Sequence, residues 1–163
     1  MDIRFTFEDE LLPAIERALL ALADFEPAME QIAERMEDQV AARFDAGKGP
    51  DGAPWQPSRR VLEEGGEKTL IDTRALLSSI TRDHDSFSAV VGTNIHYAAI
   101  HQAGGTIRPR AGSGKRALKT PFGPRASVTM PARPFLGFGV DDARDINDII
   151  ADHLRSAFGG GRS

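Results

Sequence analysis

Three stretches of this chain repeat their apolar residues at the three- and four-residue spacing of one helical face. In the first, Leu11, Leu12, Ile15, Leu19 and Leu22 line up, behind Glu8, Asp9 and Glu10 at the end where a helix favours negative charge. Pro13 falls in the first turn, where a helix tolerates it. A break over residues 24–27 separates a second helix with the stripe Met29, Ile32, Ala33, Met36, Val40 and Phe44, and Pro27 suits its start. The third carries Ile146, Ile149, Ile150, Leu154 and Phe158 behind Asp141 or Asp142 as cap. Gly159-Gly160-Gly161 ends it, and residues 159–163 form a frayed tail.

Shorter stretches alternate with the period of a strand: Ile3, Phe5 and Phe7; then Phe87, Ala89 and Val91, with a hairpin partner near residues 80–84; then Val128 and Met130. Asp72 or Thr73 caps a short predicted helix through Leu76, Leu77 and Ile80. A second short helix runs from Ile95 to Gln102, where Gly104-Gly105 stops it. After Phe44, the run from Gly47 to Gly52 turns the chain, because glycine reaches positive φ and Pro50-Asp51-Gly52 is a turn sequence. Between Gly105 and Arg125 no hydrophobic period survives. A loop of that length in a compact domain is expected to be functional or disordered.

Charge changes the picture because it is sorted by region. The 55 positions from Ser86 to Val140 hold seven Arg or Lys and no acid, whereas residues 1–85 hold 19 acids against 10 bases and residues 141–163 hold 5 against 3. Such sorting prepares a surface for a polyanion or for an acidic neighbour, including another copy of the same chain. At 163 residues one domain is expected. Without cysteine there is no disulfide, thiolate nucleophile or Cys-ligated zinc. Met1 to Phe5 lacks the basic start and apolar run of a signal peptide, and no run approaches the roughly 20 apolar residues that span a bilayer. A cytoplasmic product with no membrane partner is the expectation.

Candidate chemistry is sparse. His84, His96, His101 and His153 include no pair at the i, i+4 spacing of a helical zinc site. Gly112-Ser113-Gly114-Lys115 has the composition of a phosphate loop, but Pro109 takes the place of the earlier glycine and Arg116 that of the magnesium-binding hydroxyl. No Gly-x-Ser-x-Gly elbow is present. No enzymatic activity, metal or cofactor is expected, and Trp55 reads as a packing anchor.

Four blocks carry a resemblance. Residues 44–55, with Pro50-Asp51-Gly52 and Trp55, residues 70–80, and residues 97–105, with Tyr97, His101, Gly104 and Gly105, are similar to the phage virion morphogenesis family. So is Pro131-Ala132-Arg133-Pro134-Phe135-Leu136-Gly137, followed by an acidic helix start. Arg74 stands where that family's Leu-x-x-Thr-Gly pattern has glycine. The resemblance spans about Leu11 to Phe158 and implies one domain over residues 1–158. Its implied fold is α+β: a small antiparallel sheet packed against long N-terminal helices and a C-terminal helix, with a long basic loop at 105–125.

The resemblance also implies a non-enzymatic part of the tail terminus or head-tail connector (the neck), made in the host cytoplasm and carried in the virion. Rings, often of six copies, are common at that level of a tailed phage. A ring needs two different patches that meet, and segregated charge suits such pairing. Arg108, Arg110, Lys115, Arg116, Lys119, Arg125 and Arg133 are the expected interface, toward a second copy, the tail tube or a head-proximal connector protein. The alternative is nucleic-acid binding, with the same cations on the phosphates of DNA passing through a ring lumen. Phe122 is the only ring within the loop, and no recognition helix is apparent.

Overall fold

The computed structural model describes residues 13, 15–17, 19–20, 24–66, 68–110, 117–121 and 123–159. The strand expected over residues 3–7, the cap at 8–10 and the tail at 160–163 lie outside them. Of the first helix, residues 13, 15–17 and 19–20 are described and helical.

Helix α1 spans Glu26–Ala46. The Asp24 carboxylate accepts the Glu26 amide at 3.2 Å, which satisfies one of the donors a helix start leaves open. At the other end Gly47 adopts φ 65° and its N–H donates to the Arg43 carbonyl at 2.8 Å, so the helix stops where glycine permits a left-handed residue. Helix α2, Arg59–Glu63, was not legible as a period; Ser58 caps it through the Val61 amide. The helix expected through Leu76, Leu77 and Ile80 is a single 3-10 turn, Leu77–Ser79. Ser79 Oγ bonds back to the Leu76 carbonyl at 2.6 Å and lies 2.7 Å from Thr93 Oγ1, while Ile80 has already become extended.

Strands β1, Ile80–Asp85, and β2, Ser88–Thr93, form the expected hairpin. Asp85 closes it by accepting from the Phe87 amide at 2.7 Å and from Ser88 Oγ at 2.8 Å, and these bonds hold its pKa below the usual carboxylate value. Helix α3 follows at Ala98–Ala103. The segment from Gly105 to Arg125 departs from the reading of an irregular loop. β3, Gly105–Ile107, pairs antiparallel with β6, Val128–Met130, with Thr106 opposite Thr129. β4, Leu118–Thr120, pairs antiparallel with β5, Gly123–Arg125. Three-residue strands are too short to show alternation. The fold is α+β, its antiparallel pairing divided among three two-stranded ladders within the described residues. Helix α4, Val140–Gly159, takes Asp141 and Asp142 into its first turn rather than placing them before it.

By its internal contacts the chain divides into two compact units, neither continuous in sequence. One comprises residues 1–37, 82–91 and 141–163. There Ala28, Ile32 and Ala33 of α1 are buried, Arg35 pairs with Asp145 at 2.7 Å, and Arg82 reaches Glu37 at 2.6 Å and Glu34 at 3.6 Å. The other comprises residues 38–81 and 92–140, with a core of Val40, Phe44, Trp55, Leu76, Ile80, Ala98 and Phe135.

Candidate functional site: a basic surface and an arginine-lined cavity

Every block that carries the resemblance falls in the second unit, and the core explains why. Around the Pro50-Asp51-Gly52 turn the Gly52 amide donates to the Gly49 carbonyl at 2.9 Å, and Asp51 Oδ1 accepts the Ala53 amide at 3.0 Å. The chain then doubles back, and the Trp55 amide donates to the Gly47 carbonyl at 2.8 Å. This seats Trp55 edge-on to Phe44, ring centres 5.6 Å apart, while Phe44 meets Phe135 at 5.3 Å.

Residues 131–137 have no strand partner for their backbone, and side chains supply the missing bonds. Trp55 Nε1 donates to the Pro134 carbonyl at 3.0 Å. Gln102 accepts the amides of Phe135 and Leu136 at 3.0 and 3.1 Å and donates to the Leu136 carbonyl at 2.7 Å. Arg43 donates to the carbonyls of Phe135 and Gly137 at 3.0 and 2.9 Å. Gly104, with φ 69°, lets the backbone pass so close that a Cβ there would sit 2.6 Å from the Ala132 nitrogen. Arg43 and Gln102 gave no signal in the sequence, because their bonds cross 92 and 33 or 34 residues to backbone atoms.

Beside this framework lies a cavity of about 290 Å³, whose lining includes Arg60, Arg74, Arg133, His101, Tyr97 and Asp72. Arg133 is 4% exposed. Its guanidinium donates to the Gln56 carbonyl at 2.7 Å and the Pro57 carbonyl at 3.4 Å, and burial lowers its pKa. Arg60 donates to the carbonyls of Lys68 and Ile71 at 2.8 and 2.6 Å and lies 3.7 Å from Asp72. His101 Nδ1 is buried with no hydrogen-bond partner. Burial first, and the Arg133 charge second, push the His101 pKa below its ordinary 6.5. Tyr97 presents its ring edge-on to His101, 6.0 Å between centres. Arg74, in the position where the sequence pattern asks for glycine, adopts φ 61°. The glycine-like turn is kept, and a cation occupies it.

The cations singled out from sequence separate into two sets. Arg108, Arg110, Lys119 and Arg125 are exposed, and no acid pairs with them among the described residues. Lys119 and Arg125 share the β4–β5 ladder. Lys115 and Arg116 lie outside the described residues. Arg133 does not belong to that exposed set, because it is buried at the cavity and its guanidinium donates to the carbonyls of Gln56 and Pro57. Among the described residues no three His, Asp or Glu side chains gather to hold a metal ion, and no helix is long and apolar enough to cross a membrane.

The sequence profile of the phage virion morphogenesis family matches residues 8–155. The chain belongs to this family. A relative from Haemophilus influenzae, the Mu-like prophage FluMu G protein 2, is 36% identical over 95% of this chain and 96% of its own length. The tail completion protein S of Escherichia phage P2 is 29% identical over 91% of this chain and 95% of its own. No solved structure matches. In this member of the phage virion morphogenesis family, the matched region takes in the aromatic core, the cavity and the described basic strands.

Proposed function

We propose that this protein is a non-enzymatic structural component of the phage tail, acting at the tail terminus or head-tail connector, and that it works by self-assembly into a ring and by contacts with tail-tube and head-proximal proteins. Membership of the phage virion morphogenesis family and the likeness to a tail completion protein support the tail role. The observation that carries the assembly reading is the exposed set Arg108, Arg110, Lys119 and Arg125, without acidic partners among the described residues, on a chain whose acids are concentrated elsewhere. Exposed charges of one sign are satisfied by a complementary surface of a neighbour, the head-to-tail pairing that closes a ring. Assembly takes place in the host cytoplasm, and the product is a virion component.

Replacing all four cations with serine tests this. The variant is expected to keep the wild-type circular dichroism spectrum and to sediment as a monomer under conditions where the wild type assembles. It should also fail to restore infectious particles to a phage lacking the gene. Normal rings and normal titre from the variant would refute the assembly role of these residues. The same cations fit DNA phosphates, and a titration with duplex DNA at two salt concentrations separates the readings. Each neutralised phosphate contributes about −0.9 to the log-log slope, so tight, steeply salt-dependent binding by the isolated protein would favour the nucleic-acid reading.

A further inference from the structure

We propose that the cavity lined by Arg60, Arg74, Arg133, His101 and Tyr97 is a carboxylate socket, and that an Asp or Glu side chain of a second copy of this chain fills it. The choice of donor rests on the self-assembly reading; the carboxylate chemistry does not.

Four observations converge. Arg133 is almost wholly buried, yet its guanidinium donates only to two neutral carbonyls, and no acid pairs with it among the described residues. A guanidinium has five N–H donors, and buried charge is ordinarily matched by an opposite charge. Beside it, His101 Nδ1 is buried and unsatisfied, a state rare enough in folded proteins to need a reason. Among the described residues three arginines line the space against one carboxylate, Asp72, which already lies by Arg60. Finally, Arg74 holds a left-handed backbone conformation that costs an ordinary residue about 1–2 kcal/mol. A strained residue of that kind beside a cavity points to a role there.

Size limits the ligand. At about 290 Å³ the space is at the small end of binding sites, which run from about 300 to 1,000 Å³. It admits a projecting side chain and is too small for a length of duplex. A DNA phosphate is flanked by sugars on both sides, whereas an Asp or Glu carboxylate projects alone. The chain supplies such groups in number, with 19 acids in residues 1–85.

The test uses the full-length protein at a concentration where it is monomeric. The His101 imidazole is followed by NMR while sodium acetate, inorganic phosphate or sodium chloride is added at matched ionic strength. Acetate is expected to saturate the site and to raise the His101 pKa, since an anion among Arg60, Arg74, Arg133, Tyr97 and Asp72 offsets the Arg133 charge, which after burial is the second cause of its depression. Arg74→Gly removes one cation while relieving the backbone, so it should fold at least as stably in urea and bind acetate about tenfold more weakly. At high protein concentration the same variant should assemble less, and excess acetate should dissociate wild-type assemblies. If acetate moves His101 no more than chloride does, or phosphate binds better than acetate, the carboxylate socket is overturned. Saturable acetate binding together with Arg74→Gly assembly equal to wild type overturns the second copy as donor. A wild type that never self-associates, yet binds acetate, overturns the assembly reading separately and leaves the carboxylate chemistry standing.

Discussion

The backbone N–H of Arg133 donates a 2.7 Å hydrogen bond to the carbonyl oxygen of His101. That one bond ties the end of α3 to the segment carrying Phe135, and it sets a buried guanidinium beside a half-buried imidazole. Packing and electrostatics at the cavity are therefore the same arrangement. Arg133 can lower the His101 pKa only because the backbone holds the two residues in register.

This arrangement predicts a pH dependence. A histidine whose folded pKa lies below its unfolded value of about 6.5 binds fewer protons when folded, so unfolding takes up protons as pH falls. Its stability contribution is fully present above pH 6.5, declines as pH drops below that, and levels off once pH passes the folded pKa. The groups around His101 are Arg133, Arg60, Arg74, Tyr97 and Asp72. Asp45, lowered by its bond from Lys68, and Asp85 act in a separate range, because their contributions are lost only below about 3.8. Urea midpoints measured between pH 7.5 and 5 should fall for the wild type and fall less steeply for His101→Gln. Equal slopes would remove His101 as the cause.

Gly104 is predicted to be irreplaceable by alanine. Its φ of 69° already disfavours a side chain, and the added Cβ would meet backbone, the Ala132 nitrogen at 2.6 Å and the Met130 carbonyl at 3.0 Å. Backbone cannot swing away as a flexible side chain does. Gly104→Ala should cost about 2 kcal/mol or more, while Gly47→Ala, with a similar φ of 65° and open space around it, should cost about 1 kcal/mol. Chemical denaturation of the two variants in parallel checks the ordering, and equal losses would show that the close approach at Gly104 is relieved cheaply.

Trp55→Phe keeps an aromatic ring against Phe44 but removes the donor to the Pro134 carbonyl. Leaving this part-buried acceptor without its donor costs about 1 kcal/mol, and the lost ring area adds to it. The expected result is a lower urea midpoint with an unchanged m-value, followed by circular dichroism because Trp55 is the chain's only tryptophan. A midpoint within error of wild type would mean that water replaces the indole at Pro134.

Local pattern alone was enough to find α1, the β1–β2 hairpin, the glycine stop after α3 and helix α4, because each repeats a spacing over many residues or carries a turn residue whose φ preference is intrinsic. It also marked Trp55 as an anchor, and the family resemblance marked Arg74 as a departure from a glycine pattern. The three-residue strands within 105–125 were invisible, since each is held by a partner strand and not by its own composition. Tertiary structure alone decided that Arg133 leaves the basic surface for the interior, that Arg43 and Gln102 cap a strandless segment, and that three arginines and a histidine border one cavity. A periodicity reports which face of an element is apolar. The partner of a buried charge depends on which distant backbone arrives beside it, and only the folded chain brings them together.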